Sequence, residues 1–296
     1  GIRSSGLNDT YIGNDFRDTY ATAALIIDSN TLVSDPISTD IALLDGEGES
    51  VWGYFGIRSI GVGNTVRASR MDTIGYIGIV GDNDALIEQN VVHHPLATMN
   101  DGGGIAFDQA DGLTVQDNIV SDPIGSWANG APDVAPHNEH MGIGIYFGNT
   151  SIMNTIAQRN TVYDCPEAGI HVDHTMVTHG IQVKDNVLFN NGVQLEVSDY
   201  SNGTGAGATP PYFVPSYDDV YSGNVMYSLT KDQLCLQEYN CYSGTPVDFG
   251  TYAGNYYYNP YNEMSIKVIN FVSGAPRYYA LERWQAEKGE DLDSRR

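Results

Sequence analysis

Residues 75–82 read GYIGIVGD, and variants of the phrase return as GGGIAFD at 102–108, MGIGIYFG at 141–148, AGIHVDH at 168–174 and NGVQLEV at 191–197. Each copy is of strand length and sets Gly before an apolar, β-branched residue. Asn-centred phrases lie between the copies: EQNVV at 88–92, QDNIV at 116–120, QRNTV at 158–162 and KDNVL at 184–188. Working outward, Asn64, Asn90, Asn118, Asn160, Asn186, Asn224 and Asn255 are separated by 26, 28, 42, 26, 38 and 31 residues. The shorter gaps suit one turn of a solenoid, and the longer ones suit the same turn with an inserted loop. Short strands with Gly and Asn at the corners, and little helix-period patterning before the C-terminal tail, predict an all-β chain. The architecture expected is a right-handed single-stranded parallel β-helix with inserted loops. A β-sandwich would need two-residue hairpin turns between strands, and such signals are scarce.

A solenoid grows by adding coils and needs no internal boundary. Residues 1–275 are therefore expected to form one β-helix domain, with degenerate coils over 1–50, regular coils over 51–200 and decorated coils over 201–275. Helix-period residues at 278–288 predict that 276–296 forms a short helical cap over the open end of the core.

Side chains alternate across a strand, so the aligned phrases assign sides. Ile79, Ile105, Ile145, Ile170 and Val193 form one inward stack, with Phe107, Phe147, Val172 and Leu195 beside them. One outward column then reads Val80, Ala106, Tyr146, His171, Gln194, and the next Asp82, Asp108, Gly148, Asp173, Glu196. Neighbouring strands lie about 4.8 Å apart, and like charges stacked at that spacing are destabilising. The carboxylate column thus predicts a compensating cation or cationic partner.

The chain carries 37 acidic against 14 basic residues, a formal net charge of −23. Such a surface repels nucleic acid and anionic membranes, and no apolar run is long enough to span a bilayer. Cys235 and Cys241 are placed for a small disulfide, while Cys165 is expected to be buried. An extracellular or periplasmic location in bacteria, the cell surface included, fits this pattern, and a leader removed ahead of Gly1 is compatible with it. The oligomeric state is open.

His93 and His94 precede the run MNDGGGI at 99–105, where Asp101 stands before three glycines. Glycines in a strand mark bends or close backbone approach. The insertion from Ser121 to Met141 is long for a compact repeat, and such loops are usually functional or disordered. Its Trp127, Glu139 and His140, with Asp101, Tyr146 and Gln194, are the substrate-contact candidates. Arg58, Arg67 and Arg70 either meet a partner's anionic group or pair with the many acids, the second being the simpler account.

The succession NTVRASRMDTIGYIGIVGD, ALIEQNVV, NDGGGIAF, GIGIYF and GIHVDH resembles the bacterial pectate-lyase-like superfamily of right-handed parallel β-helix proteins. The closing segment YYALERWQAEKGEDLDS at 278–294 is similar to one that often ends such helices. The resemblance implies polysaccharide-active enzymes, lyases and glycoside hydrolases, with substrate on an outward sheet face. The sequence departs from members that use Arg or Lys as a lyase base, because the outward columns hold neither.

Three functions are compatible with these residues. The leading one is a glycoside hydrolase with Asp108, His171, Asp173 and Glu196 as catalytic candidates and no required cofactor, since hydrolysis needs two suitably spaced carboxyl groups. A polysaccharide lyase would need a uronate carboxylate neutralised, for which Ca²⁺ on Asp82, Asp101 and Asp108 is the candidate, and a base, His171 or Tyr146. A non-catalytic carbohydrate-binding or adhesive solenoid is the third.

Overall fold

A computed structural model of the chain describes residues 1–48, 50–107, 109–126, 140–148, 151–173, 178–198, 218–240, 249–270 and 275–296. Among them the chain winds as a parallel β-helix with three long sheets, of eleven, nine and nine strands, in which strands pair in parallel with their equivalents in neighbouring turns, apart from the last strand of the first sheet. In one coil, Ile79–Gly81 lies in the first sheet, Leu86–Glu88 in the second and Val91–His93 in the third; Gly102–Phe107 then opens the next coil beside Ile79–Gly81. The N-terminal stretch lacks the repeated phrase yet folds in the same way, from Ile2–Ser4 through Thr10–Ile12 to Asp15–Thr19.

The corner between the second and third sheets explains the asparagines. Gln89, Asp117, Arg159, Asp185, Gly223 and Gly254 each adopt a left-handed backbone, with φ between 54° and 66°, and each is followed by a buried Asn. Every such Asn accepts from the coil before and donates onward. Asn118 donates from both its backbone N and its Nδ2 to Asn160 Oδ1 at 3.0 Å, and Asn160 does the same to Asn186 at 2.9 and 3.0 Å. The run continues through Asn224 to Asn255, whose backbone N donates to Ser294 Oγ at 2.6 Å. Asn64 is not part of this ladder: it binds Thr31 and Asp28 at another corner, and Ser69 occupies the ladder position of its coil.

Inside, Ile79, Ile105, Ile145 and Ile170 stack as aligned partners, with Phe107 and Phe147 edge to face at 4.9 Å. One residue before each of the last three isoleucines, Gly104, Gly144 and Gly169 stand where a Cβ would strike Val120, Val162 and Asn191. At the far end Arg277–Tyr279 pairs antiparallel with Ile266–Asn270. The helix Leu281–Lys288 follows, burying Leu281 and Trp284 against Tyr252 and Tyr279. Cys165 is buried as expected, but Cys235 is a free thiol turned into the core, near Ser228 Oγ and Met226 O. Cys241, its expected disulfide partner, lies outside the described residues.

Candidate active site

The register of the first sheet corrects the sequence alignment in one coil. Leu195, not Val193, lies beside Ile170, and Glu196 lies beside His171. Gly192–Val193 imitates the Gly-Ile step two residues early, while the position of the core-facing glycines is held by Gln194. Gln194 is wholly buried and bonded to Asn191 and Ser228, so it is a core residue and not a substrate contact. The outward column reads Val80, Ala106, Tyr146, His171, Glu196, Gln237, Lys267. Arg58 precedes Val80 in it, over the Trp52 ring at 4.4 Å; the column thus has a cation towards each end, contrary to the sequence alignment.

At its centre the column turns polar without opening to water. Tyr146, His171, Asp173, Glu196, Ser198 and Gln237 are each less than a tenth exposed. Buried polar groups require partners, and here they find one another. Tyr146 OH donates to Asp173 Oδ2 at 3.3 Å and Ser198 Oγ donates to Asp173 Oδ1 at 3.2 Å. Since the one Ser198 proton is spent on Asp173, the 2.9 Å contact of His171 Nε2 with Ser198 Oγ makes Nε2 the donor. His171 Nδ1 is left as a buried acceptor with no hydrogen-bond partner. Glu167 and Glu196 each bring a carboxylate oxygen to within 4.8 Å of a His171 ring nitrogen, and Gln237 Nε2 donates to Glu196 Oε1 at 2.7 Å.

Burial pushes the Asp173 carboxyl above the usual range, against the lowering effects of His171, Ser198 and Tyr146. The Tyr146 phenol is driven well above its ordinary value by burial and by Asp173, with a smaller contribution from Asp101. The crowding expected of stacked carboxylates is thus relieved by Ser198 beside Asp173, and by Gly148 beside it on the other strand. Gly148 is required there, since a Cβ would stand 2.4 Å from Cζ of Tyr146.

The remaining candidates separate. Asp101 lies at the mouth of its strand with φ 59°, its carbonyl accepting from Tyr76 OH at 2.7 Å. Asp82 accepts from Asn83 N at the opposite end of the neighbouring strand. With Ile79 level with Ile105, Asp82 and Asp101 are about seven residue steps apart, on the order of 20 Å. Asp82 and Asp101 thus lie towards opposite ends of neighbouring strands, and Asp108, the third residue of the calcium set, lies outside the described residues. His140 bonds through Nδ1 to the carbonyls of Ile124 and Gly125. Asp108, Trp127 and Glu139 lie outside the described residues. The sequence alignment missed Glu167, Ser198 and Gln237; correct register would have found the last two.

The fold and this column define a parallel β-helix bearing a buried polar cluster on an outward sheet face. The chain belongs to the family described as the right handed beta helix region, whose model matches residues 1–207. Similar solved structures include the A-module of the Azotobacter vinelandii mannuronan C-5 epimerase AlgE4, 16% identical over 86% of this chain and 74% of that one, with a TM-score of 0.42. The periplasmic alginate epimerase AlgG is 10% identical over 78% and 54%, with a TM-score of 0.42. The Dettilon tailspike protein is 11% identical over 90% and 54%, at 0.37. No curated protein matches the chain, and no helix among the described residues is long and apolar enough to cross a membrane.

Proposed function

We propose that the chain is a polysaccharide-degrading glycoside hydrolase, working outside the cytoplasm from the outward face of the first sheet. The observation that carries this reading is the pairing of Asp173 and Glu196. They stand on adjacent strands, two positions out of register, and diagonal neighbours of this kind are separated by about 7–8 Å along the backbone. Both carboxyl groups lie on the same outward face, and glycoside hydrolysis needs such a pair. Asp173, whose carboxyl burial shifts towards the protonated form, serves as the general acid towards the leaving oxygen. Glu196, oriented by Gln237, is the base that takes a proton from the attacking water. His171 positions Asp173 through Ser198, and its Nδ1 accepts from a sugar hydroxyl.

A second reading rests on that same nitrogen. A buried acceptor on a histidine that clusters with two carboxylates is suited to take a proton from the carbon next to a uronate carboxylate, which would make the protein a lyase. The two are separated by incubating the chain with a panel of neutral and uronate-containing polysaccharides while recording reducing ends and the absorbance of unsaturated uronate together. The hydrolase reading expects reducing ends without absorbance. Equal rises of both would establish the lyase, and silence across the panel would favour a binding solenoid.

A further inference from the structure

Away from the first sheet, three coils bring two histidines and two aspartates to one corner of the third sheet. His93 lies beside Asp72 in the strand pairing. Successive strand residues ordinarily point to opposite faces, but His94 has φ 49°, which swings its ring onto the side of His93, with centroids 3.6 Å apart. His94 Nδ1 is 2.9 Å from Asp72 Oδ1, and His93 Nδ1 is 3.6 Å from the same oxygen. The other nitrogen of His93, Nε2, is 3.1 Å from Asp122 Oδ2 on the following coil.

We propose that Asp72, His93 and His94 bind one divalent transition-metal ion of the zinc class, with Asp122 orienting His93 from behind. The donor atoms already lie within 4.8 Å of one another. Bonds of about 2.0 Å in a tetrahedral site place ligand atoms about 3.3 Å apart, and the observed 2.9 and 3.6 Å bracket that edge. A proton on Nε2 directed at Asp122 leaves His93 Nδ1 as a lone pair facing the Asp72 carboxylate, an arrangement that a cation between them turns from repulsive to attractive. A carboxylate behind a ligating imidazole is the usual outer partner of such a site. Two imidazoles and one carboxylate select zinc, cobalt or nickel over calcium or magnesium, which take oxygen ligands. Side-chain exposures of 38%, 40% and 53% for His93, His94 and Asp72 leave a fourth position for water.

The test is titration of the EDTA-dialysed chain with Co²⁺, following the visible bands of a four-coordinate ion, and with Zn²⁺ by calorimetry. One ion is expected per chain, with no competition from Ca²⁺. His93→Gln and His94→Asn, the latter tolerant of the left-handed backbone, should each weaken binding more than tenfold, and Asp122→Asn about tenfold. The chain has 7 histidines, so His179→Gln serves as the control and should bind unchanged. Circular dichroism of each variant separates lost ligands from lost fold. Absence of cobalt bands, or bands that persist in folded His93→Gln and His94→Asn, would overturn the assignment.

Discussion

Asp173 holds a buried carboxyl whose environment favours its protonated form, and that preference has a sign in stability. Below about pH 4, the ordinary Asp value, folded and unfolded chains are both protonated there and the folded state keeps its full advantage. As pH rises, the unfolded chain ionises first, and stability falls until the raised folded pKa is passed. The melting temperature of Asp173→Asn minus that of wild type should therefore grow as pH increases from about 4; a pH-independent difference would refute the burial argument. Gly148→Ala tests the same cluster from its neighbour. Its Cβ would displace the Tyr146 ring and hydroxyl, so turnover should fall by about 100-fold while the chain remains folded by circular dichroism. At this scale the sequence was partly readable. Tyr146, His171 and Asp173 follow from alternation alone, whereas Ser198 and Gln237 depended on a register that the Gly192–Val193 step disguised.

The corner ladder is an element whose members depend on one another. Asn160 accepts two donors from Asn118 and donates from Nδ2 to Val115 O and Asn186, all in a dry environment. Asn160→Ala leaves these buried groups without partners, and unsatisfied groups cost about 1–3 kcal/mol each before relaxation. A loss of about 2–4 kcal/mol is expected, read as a lowered denaturant midpoint with an unchanged slope. A loss below about 0.5 kcal/mol would mean that water enters the corner and replaces the side chain. The asparagine spacing made this element the most legible part of the chain. Asn64 was miscounted because spacing alone does not distinguish one corner from another.

Over the whole molecule, the C-terminal segment is tied to the β-helix by a contact that the sequence did not announce. Glu238 lies in the core-facing column of Val172 and Val197, where Tyr252 OH donates to it at 3.1 Å and Lys288 Nζ reaches it at 3.1 Å from the closing helix. A core glutamate contradicts binary patterning, so only the structure could reveal it. Lys288→Ala should destabilise by about 2–3 kcal/mol, less than for a fully buried pair because Lys288 is partly exposed, and should speed hydrogen exchange in the strands nearest the helix. Glu238→Gln, which keeps the shape and removes the charge, should cost less than Lys288→Ala; the reverse order would show that the ion pair is not what holds the helix. The solenoid itself was readable because each coil repeats the same constraints, although its phase was misread at Gly192–Val193 and at Asn64. The loops were not, since insertions carry no periodicity.

The central claim is that Asp173 and Glu196 form a working carboxyl pair on the outward face. It is tested most directly by measuring release of reducing ends, from whichever polysaccharide the wild type cleaves, by Asp173→Asn and Glu196→Gln. General acid–base assistance is worth about 10²–10⁴-fold, so each variant should lose at least about 100-fold in kcat while retaining native circular dichroism. Folded variants that cleave within about threefold of wild type, far less than the loss of an acid or base would cause, would contradict it.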